Sequence, residues 1–179
     1  MVDMGGHNKW SQIKRQKGAN DAAKSRVWGK LGRRITVESK KACGDANAAN
    51  VRSVVETAKK ENMPKDAIER AILKGTAIDD DTLEPITYEA YGPGGVAIII
   101  ETLTDSRNRT AQEIKHLLSE LGLALAAPGS ALWAFAKTAD GYDAQTTVSV
   151  SEEDSENLMK ILEEIDANDD VENVFTNAI

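Results

Sequence analysis

Residues 23–42, AKSRVWGKLGRRITVESKKA, decide the first half of the fold, because their apolar side chains recur at helical spacing. At about 100° per residue, one side of the predicted helix is apolar. The opposite side is cationic over an arc of roughly 120°. The apolar side holds Val27, Trp28, Leu31, Ile35 and Ala42. The cationic side holds Arg26, Lys30, Arg33, Arg34, Lys40 and Lys41.

The cationic side lacks the acids that an ordinary exposed helix carries. Between Lys9 and Lys41 the chain has 11 Lys and Arg residues but only two acids, Asp21 and Glu38. Like charges four residues apart destabilise a helix, whereas Glu–Lys pairs at that spacing stabilise it. A face that keeps this repulsion is expected to meet phosphates, and a solvated helix back is the simpler alternative.

The charge imbalance extends over the whole chain of 179 residues. Residues 1–74 hold 17 Lys/Arg and 8 Asp/Glu, a net charge of +9, whereas residues 75–179 hold 5 and 21, a net charge of −16. This break predicts a basic helical domain over 1–76, an acidic linker over 77–83 and an acidic α+β domain over 84–179. Such an asymmetry is typical of proteins that bind nucleic acid.

A short segment before the helix, residues 5–17 (GGHNKWSQIKRQK), adds four more cations. Its backbone amides and cations could follow a sugar-phosphate chain while Trp10 stacks on a base. The alternative for Trp10 is packing against the helices, which is favoured because tryptophan is highly buried on average. The candidate contacts in this segment are Lys9, Trp10, Lys14, Arg15 and Lys17.

Two more helices are predicted in the basic half, over residues 50–61 and 63–75. Pro64 suits the first helical position of the second one and Gly75 suits its C-terminal stop. We expect this last helix to pair its charges internally and to be structural. The Asp79–Asp81 run that follows reads as a solvated hinge, because no calcium-loop pattern surrounds it.

The acidic half alternates strands and helices. Strands are predicted over 85–91 and 95–103, joined by a Gly-Pro-Gly-Gly turn, and then over 131–137, 146–150 and 171–176. One helix carries a stripe of Ile114, Leu117, Leu118 and Leu121, begins with a Thr110–Glu113 capping box, and ends at Gly122. Ser151 caps the second helix, whose core side chains are predicted to be Leu158, Ile161, Leu162 and Ile165. The order β-β-α-β-β-α-β predicts an α+β sandwich, with helices on one face of a mainly antiparallel sheet.

Two cations interrupt the acidic half just before a helix. Arg107 and Arg109 lie between a strand and a helix N-terminus, where free N–H groups and the helix dipole favour anions. Two interpretations stay open here. Either the arginines extend a nucleic-acid footprint, or they pair with the abundant acids nearby.

Several classes of protein are not favoured by the sequence. The longest apolar run, residues 95–100, is too short to cross a bilayer, and no signal or transit segment is evident. The single cysteine, Cys43, indicates a reducing cytoplasm. No P-loop, dinucleotide, zinc-protease or serine-hydrolase motif is present, so we expect no enzyme, cofactor, metal site or small-molecule substrate. We expect His116 to be exposed.

The motifs together resemble the YebC/PmpR family. The resemblance is carried by GHNKW (6–10), NMPKD (62–66), IERAI (68–72), YEAYGPGG (88–95), TDSRNRT (104–110, apart from Ser106) and DVENVFTN (170–177). That family includes bacterial proteins labelled probable transcriptional regulators and mitochondrial translational activators. The resemblance implies a three-helix N-terminal domain and contact with nucleic acid or the ribosome. Family members usually carry a further inserted domain, which is expected to be absent here near 138–145.

The sequence therefore predicts a non-enzymatic nucleic-acid-binding regulator of gene expression. The first hypothesis is a transcriptional regulator that binds DNA through its basic helical face. One alternative is an RNA- or ribosome-associated translational activator, and another is a protein–protein adaptor. No helix-turn-helix pattern of base-reading side chains is evident, so backbone or structured-RNA recognition is more expected than sequence-specific DNA reading.

Overall fold

The computed structural model describes residues 21–76, 83–138 and 141–179. The candidate contacts Lys9, Trp10, Lys14, Arg15 and Lys17, and most of the predicted linker, lie outside the described residues. The chain divides into two compact units: the first holds the helices between Ala19 and Glu84, and the second holds most of residues 85–179. The fold is α+β, as predicted.

The helical unit contains the three predicted helices. They are α1 (Asp21–Lys41), α2 (Ala49–Lys60) and α3 (Lys65–Lys74). The predicted ends agree to within two residues, but Pro64 precedes the first residue of α3 instead of occupying that position. The helices pack their apolar sides together, as periodicity requires. This core is built from Leu31, Ile35, Val54, Ala58, Met63, Ile68 and Ala71.

Helices α1 and α3 approach closely where α3 ends. The Thr36 hydroxyl donates to the carbonyl of Ala71 at 3.1 Å, and the Ser39 hydroxyl donates to the carbonyl of Ile72 at 2.8 Å. The same two carbonyls also accept from the backbone N–H of Gly75, so the hydroxyls add a link from α1 to the last turn of α3. A Cβ atom on Gly75 would lie 2.6 Å from the Thr36 carbonyl oxygen, so only glycine fits there.

The α+β unit follows the predicted element order. Its elements are β1 (Glu84–Tyr91), β2 (Ala97–Thr104), α4 (Arg107–Glu120), β3 (Phe135–Thr138), β4 (Gly141–Ala144), α5 (Glu152–Ala167) and β5 (Val171–Thr176). One sheet has the strand order β1-β2-β5, with β2 antiparallel to β5. A separate antiparallel hairpin pairs β3 with β4, from Phe135↔Ala144 to Thr138↔Gly141.

Strand β2 is the centre of the unit, since it is buried on both faces. Ile98 and Ile100 pack on one face against α4 and α5. Ala97 and Ile99 pack on the other face against the region of the hairpin. Burial on both faces explains the continuous apolar run of this strand, because a half-buried strand would alternate. The helices therefore cover one face, as predicted.

Three predictions for this unit are wrong in detail. Residues 146–150 form no strand: β4 lies earlier in the chain, and Val148 makes only one isolated bridge, with Ala178. The segment 131–137 is a short 3₁₀ turn, Leu132–Ala134, followed by β3. The capping box is absent, because α4 begins at Arg107 and Thr110 is a buried residue within it.

Candidate nucleic-acid interface

Helix α1 presents most of its predicted cations to solvent. Arg26, Arg34, Lys40 and Lys41 are exposed, and Arg33 is half-buried. The helix carries seven cations and two acids, Asp21 and Glu38. The described part of this face is therefore strongly positive, as an interface for a polyanion needs.

Lys30 does not belong to the exposed set, which corrects the sequence prediction. The residue is only 9% exposed although it lies opposite the core of the helical unit. The helical wheel finds the side of α1 that faces α2 and α3, but it gives no measure of exposure for a residue on the other side. A lysine stem can be buried along apolar surface, so its charge type does not guarantee exposure. Lys30, Arg33 and Lys40 each take part in a further interaction within the structure.

Glu38 ties the end of α1 to the start of α2. Its carboxylate accepts hydrogen bonds from Lys41 at 2.7 Å and from Asn50 at 2.8 Å. Partial burial acts to raise the pKa of Glu38, but these two bonds and the charges of Lys41 and Arg34 outweigh it, so the pKa lies below the ordinary value. The Lys41 side chain keeps 59% of its surface exposed and still presents its charge to solvent.

Helix α3 balances its own charges. Lys65 pairs with Glu69 at 3.6 Å, and Arg70 pairs with Asp66 at 3.0 Å, which confirms the predicted internal pairing. Only residues 61–64 separate α2 from α3, the spacing of a helix-turn-helix. However, the α3 sequence KDAIERAILK contains no Asn or Gln, the side chains that read adenine edges. This helix has two acids on its surface, which disfavours insertion into a DNA groove.

Arg109 is engaged with acids of its own unit. Its guanidinium lies 2.9 Å from the carboxylate of Asp170 and 3.5 Å from that of Glu113. The same Asp170 oxygen accepts a hydrogen bond from the Thr110 hydroxyl at 2.6 Å. This is the pairing that the sequence left open as the alternative. Arg107 is exposed and takes part in a further interaction, and a nucleic-acid role for both arginines stays a prediction.

Sequence reasoning missed the buried polar residues that shape the α+β unit. Glu89 is 3% exposed, Asp170 is 8% exposed and Asn177 is 2% exposed. The Asn177 amide accepts from the backbone N–H of Ala97 at 2.8 Å and donates to the carbonyl of Thr146 at 2.9 Å. The motifs YEAYGPGG and DVENVFTN contained these residues, but their partners lie too far along the chain to be read from spacing.

No helix in 21–76, 83–138 or 141–179 is long and apolar enough to span a membrane. In the same ranges, no three His, Cys, Asp or Glu side chains form a group that could hold a metal ion. His116 is exposed, as predicted, and its ring lies 3.5 Å from Glu120.

Comparison with known proteins identifies relatives for both units. Sequence models of the TACO1/YebC protein N-terminal domain and of the TACO1/YebC second and third domain match residues 8–78 and 83–140. A "Probable transcriptional regulatory protein" of Petrotoga mobilis is 41% identical over 97% of this chain and 70% of its own length. A protein of the same name from Kosmotoga olearia is 35% identical over 97% of this chain and 94% of its own. The crystal structure of a conserved hypothetical protein, Aq1575 from Aquifex aeolicus, aligns with a TM-score of 0.79 and 25% identity over 89% of this chain and 91% of that chain.

The relatives are longer than this chain. It spans 53–70% of the length of the first five curated relatives. The alignment with the Kosmotoga protein covers 236 positions against 179 residues here, so that protein has at least 57 positions without a counterpart. That these positions form an inserted domain, and that it is absent here near 138–145, stays a prediction.

Proposed function

We propose that this chain, which belongs to the TACO1/YebC family, is a regulator of gene expression that binds nucleic acid through the cationic face of α1. The observation that carries the proposal is the exposure of Arg26, Arg34, Lys40 and Lys41 on a helix with only two acids. The names of the relatives, which describe probable transcriptional regulators, support a regulatory role and name no catalytic activity. DNA is therefore the first candidate ligand.

The binding mode that the surface supports is contact with the sugar-phosphate backbone. Arginine and lysine neutralise phosphates and release counterions, whereas sequence is read by side chains at base edges. Helix α3, the second helix of the α2–α3 pair, carries acids and pairs its charges internally. Affinity should consequently depend on salt more than on base sequence.

RNA is the second candidate ligand, and the same observation favours it. Recognition by backbone and shape is the usual mode for structured RNA. Double-stranded DNA and structured RNA of equal length and mixed sequence, titrated under identical salt, distinguish the two ligands. Tighter binding of RNA would support a translational role over a transcriptional one.

The proposal is tested by the salt dependence of binding and by charge reversal. Contact with about five phosphates predicts a log–log slope of roughly −3.5 to −4.5 against salt. Reversal of Arg26, Arg34 and Lys41 to Glu should abolish binding and leave helix content unchanged, because all three side chains are exposed. Lys30 is left intact, since an acid at that buried position would test folding as well as binding.

A matched control reverses the same number of charges on another helix. Lys65→Glu, Arg70→Glu and Lys74→Glu on α3 give the same change in net charge and should retain most of the affinity. If the α1 variant binds as well as the wild type, or both variants lose affinity equally, the α1 face is not the footprint. A flat salt slope would instead favour a protein–protein adaptor.

A further inference from the structure

One segment of the acidic half carries no charge at all. Residues 121–136, LGLALAAPGSALWAFA, contain no Asp, Glu, Lys, Arg or His in a chain that is 28% charged. Part of this segment is buried, but Ala124, Leu125, Ala127, Pro128 and Trp133 are exposed. Trp133 exposes 61% of its surface. An exposed tryptophan in an uncharged surrounding is informative, whereas a single exposed leucine is not.

Trp133 is held beside a second exposed aromatic side chain. Its indole N–H donates to the hydroxyl of Tyr91 at 3.4 Å, and that hydroxyl donates to the carbonyl of Ser130. Tyr91 is 39% exposed. The two side chains, called the aromatic pair below, therefore present apolar surface to solvent with their polar atoms already satisfied.

Hydrogen bonds to Glu89 hold the loop that carries Trp133. The buried carboxylate accepts hydrogen bonds from the backbone N–H groups of Gly129 at 2.5 Å, Ala131 at 2.6 Å and Leu132 at 2.9 Å. The Glu89 carbonyl also accepts from the N–H of Ala126 at 2.8 Å. A surface held in this way loses little conformational entropy when it binds. Preorganised Tyr and Trp side chains are the usual anchors of protein interfaces.

The net charge of the α+β unit indicates which class of partner would bind at the aromatic pair. Residues 84–179 hold 18 Asp/Glu against 5 Lys/Arg, so the surrounding unit is strongly acidic. A phosphate chain or a second copy of this unit would meet like charge there, which opposes association. A basic partner would meet opposite net charge, and the uncharged segment would supply the apolar core that such interfaces have.

We propose that the aromatic pair is a docking surface for a basic protein, which places an apolar side chain against Trp133 and whose cationic side chains are attracted by the net negative charge of residues 84–179. The surface belongs to the α+β unit and does not depend on the proposed nucleic-acid contact of α1. Failure of either proposal leaves the other intact, because different residues and different ligands are tested.

The test is selection of a displayed random-peptide library on the full chain, followed by affinity measurement with purified peptides. The recovered peptides are expected to combine apolar side chains with net positive charge. Trp133→Ala should weaken their binding about tenfold or more, the effect typical of an interface anchor. Tyr91→Phe, which removes the hydroxyl between Trp133 and Ser130, should weaken binding by a smaller factor.

The control is Ile179→Ala, because Ile179 is also 61% exposed and belongs to the same unit. This variant should bind the peptides as the wild type does. The proposal is overturned if no peptide is recovered, if the peptides are neutral or acidic, or if Trp133→Ala binds them unchanged. It is also overturned if sedimentation shows a dimer that Trp133→Ala dissociates, or if single-stranded RNA binds in a Trp133-dependent manner.

Discussion

In the helical unit the charged side chains that define the candidate site lie at the surface, with Arg34 and Lys41 exposed, whereas in the α+β unit Glu89 and Asp170 are buried. Surface charges of this kind contribute little to stability. The buried carboxylates instead accept hydrogen bonds from backbone and side chains of the unit itself. Charged residues thus lie at the surface in one unit and serve folding in the other.

The largest effect is expected when the Glu89 carboxylate is removed, because this tests whether a buried charge stabilises the α+β unit. Glu89→Ala leaves three backbone N–H groups without their acceptor. An unsatisfied buried donor costs about 1–3 kcal/mol and loss of a more exposed hydrogen bond costs less; since only the Ala131 N–H is buried, the free energy of unfolding of the α+β unit should fall by about 2 kcal/mol or more. Urea denaturation monitored by hydrogen exchange of residues 121–136 measures this loss. Glu89→Gln should lose less, and an unchanged Glu89→Ala protein would contradict the structural role.

Two glycine substitutions test the helical unit, whose stability should depend on close packing more than on buried charge. Gly75→Ala places a Cβ atom 2.6 Å from Ser39 Cβ and should destabilise the unit by about 1–3 kcal/mol through overpacking. Gly29→Ala in α1 meets no atom within 4 Å and should stabilise the unit by up to about 1 kcal/mol. Thermal unfolding followed by circular dichroism compares the two. If the two substitutions change the stability equally, the close contact at Gly75 does not resist an added Cβ atom.

A smaller effect is expected at the start of α5. Ser151 accepts a hydrogen bond from the backbone N–H of Asp154 at 3.1 Å, which confirms the predicted cap. Ser151→Ala should cost about 1 kcal/mol of free energy of unfolding, the usual value for loss of a helix cap. Chemical denaturation measures the change. Ser151→Asn keeps a capping acceptor, so a loss as large as that of alanine would contradict capping.

The smallest effect concerns Glu38, the partly buried acid near the end of α1. Because the pKa of folded Glu38 lies below its ordinary value of 4.5, its stabilisation is present above that value and is lost as the pH falls through the folded-state pKa. Glu38→Gln should therefore have a lower Tm than the wild type near neutral pH, and the difference should shrink in acid. Melting curves across this range check it. A difference that stays constant with pH would exclude the ionised carboxylate as its source.

Local patterns allowed most of the fold to be predicted. The core side of α1, with Leu31 and Ile35, follows from helical periodicity, and the Ser151 cap follows from a short-range signal. The sequence of residues 146–150 predicts a strand, but among the described residues Val148 forms an isolated bridge with Ala178, a pairing that local sequence does not specify.

The exposure of the cations in the candidate site could also be predicted for most of them. The wheel identified Arg26, Arg34 and Lys41 correctly as exposed, because they lie away from the core. It failed for Lys30, since periodicity gives the direction of a side chain and not its exposure. Glu89 was not predicted as a buried acceptor, because its three donors lie 40 or more residues further along the chain.

The pairing of Thr138 with Gly141 has a consequence for how this protein could be lengthened or shortened. Opposed residues of an antiparallel pair have their Cα atoms about 5 Å apart, so a polypeptide spliced between them leaves and re-enters the fold at almost one point. Any compact module whose own two ends nearly touch could be carried there without moving β3 or β4. Gain or loss of such a module needs only one continuous stretch of coding sequence, with no compensating change in the surrounding core.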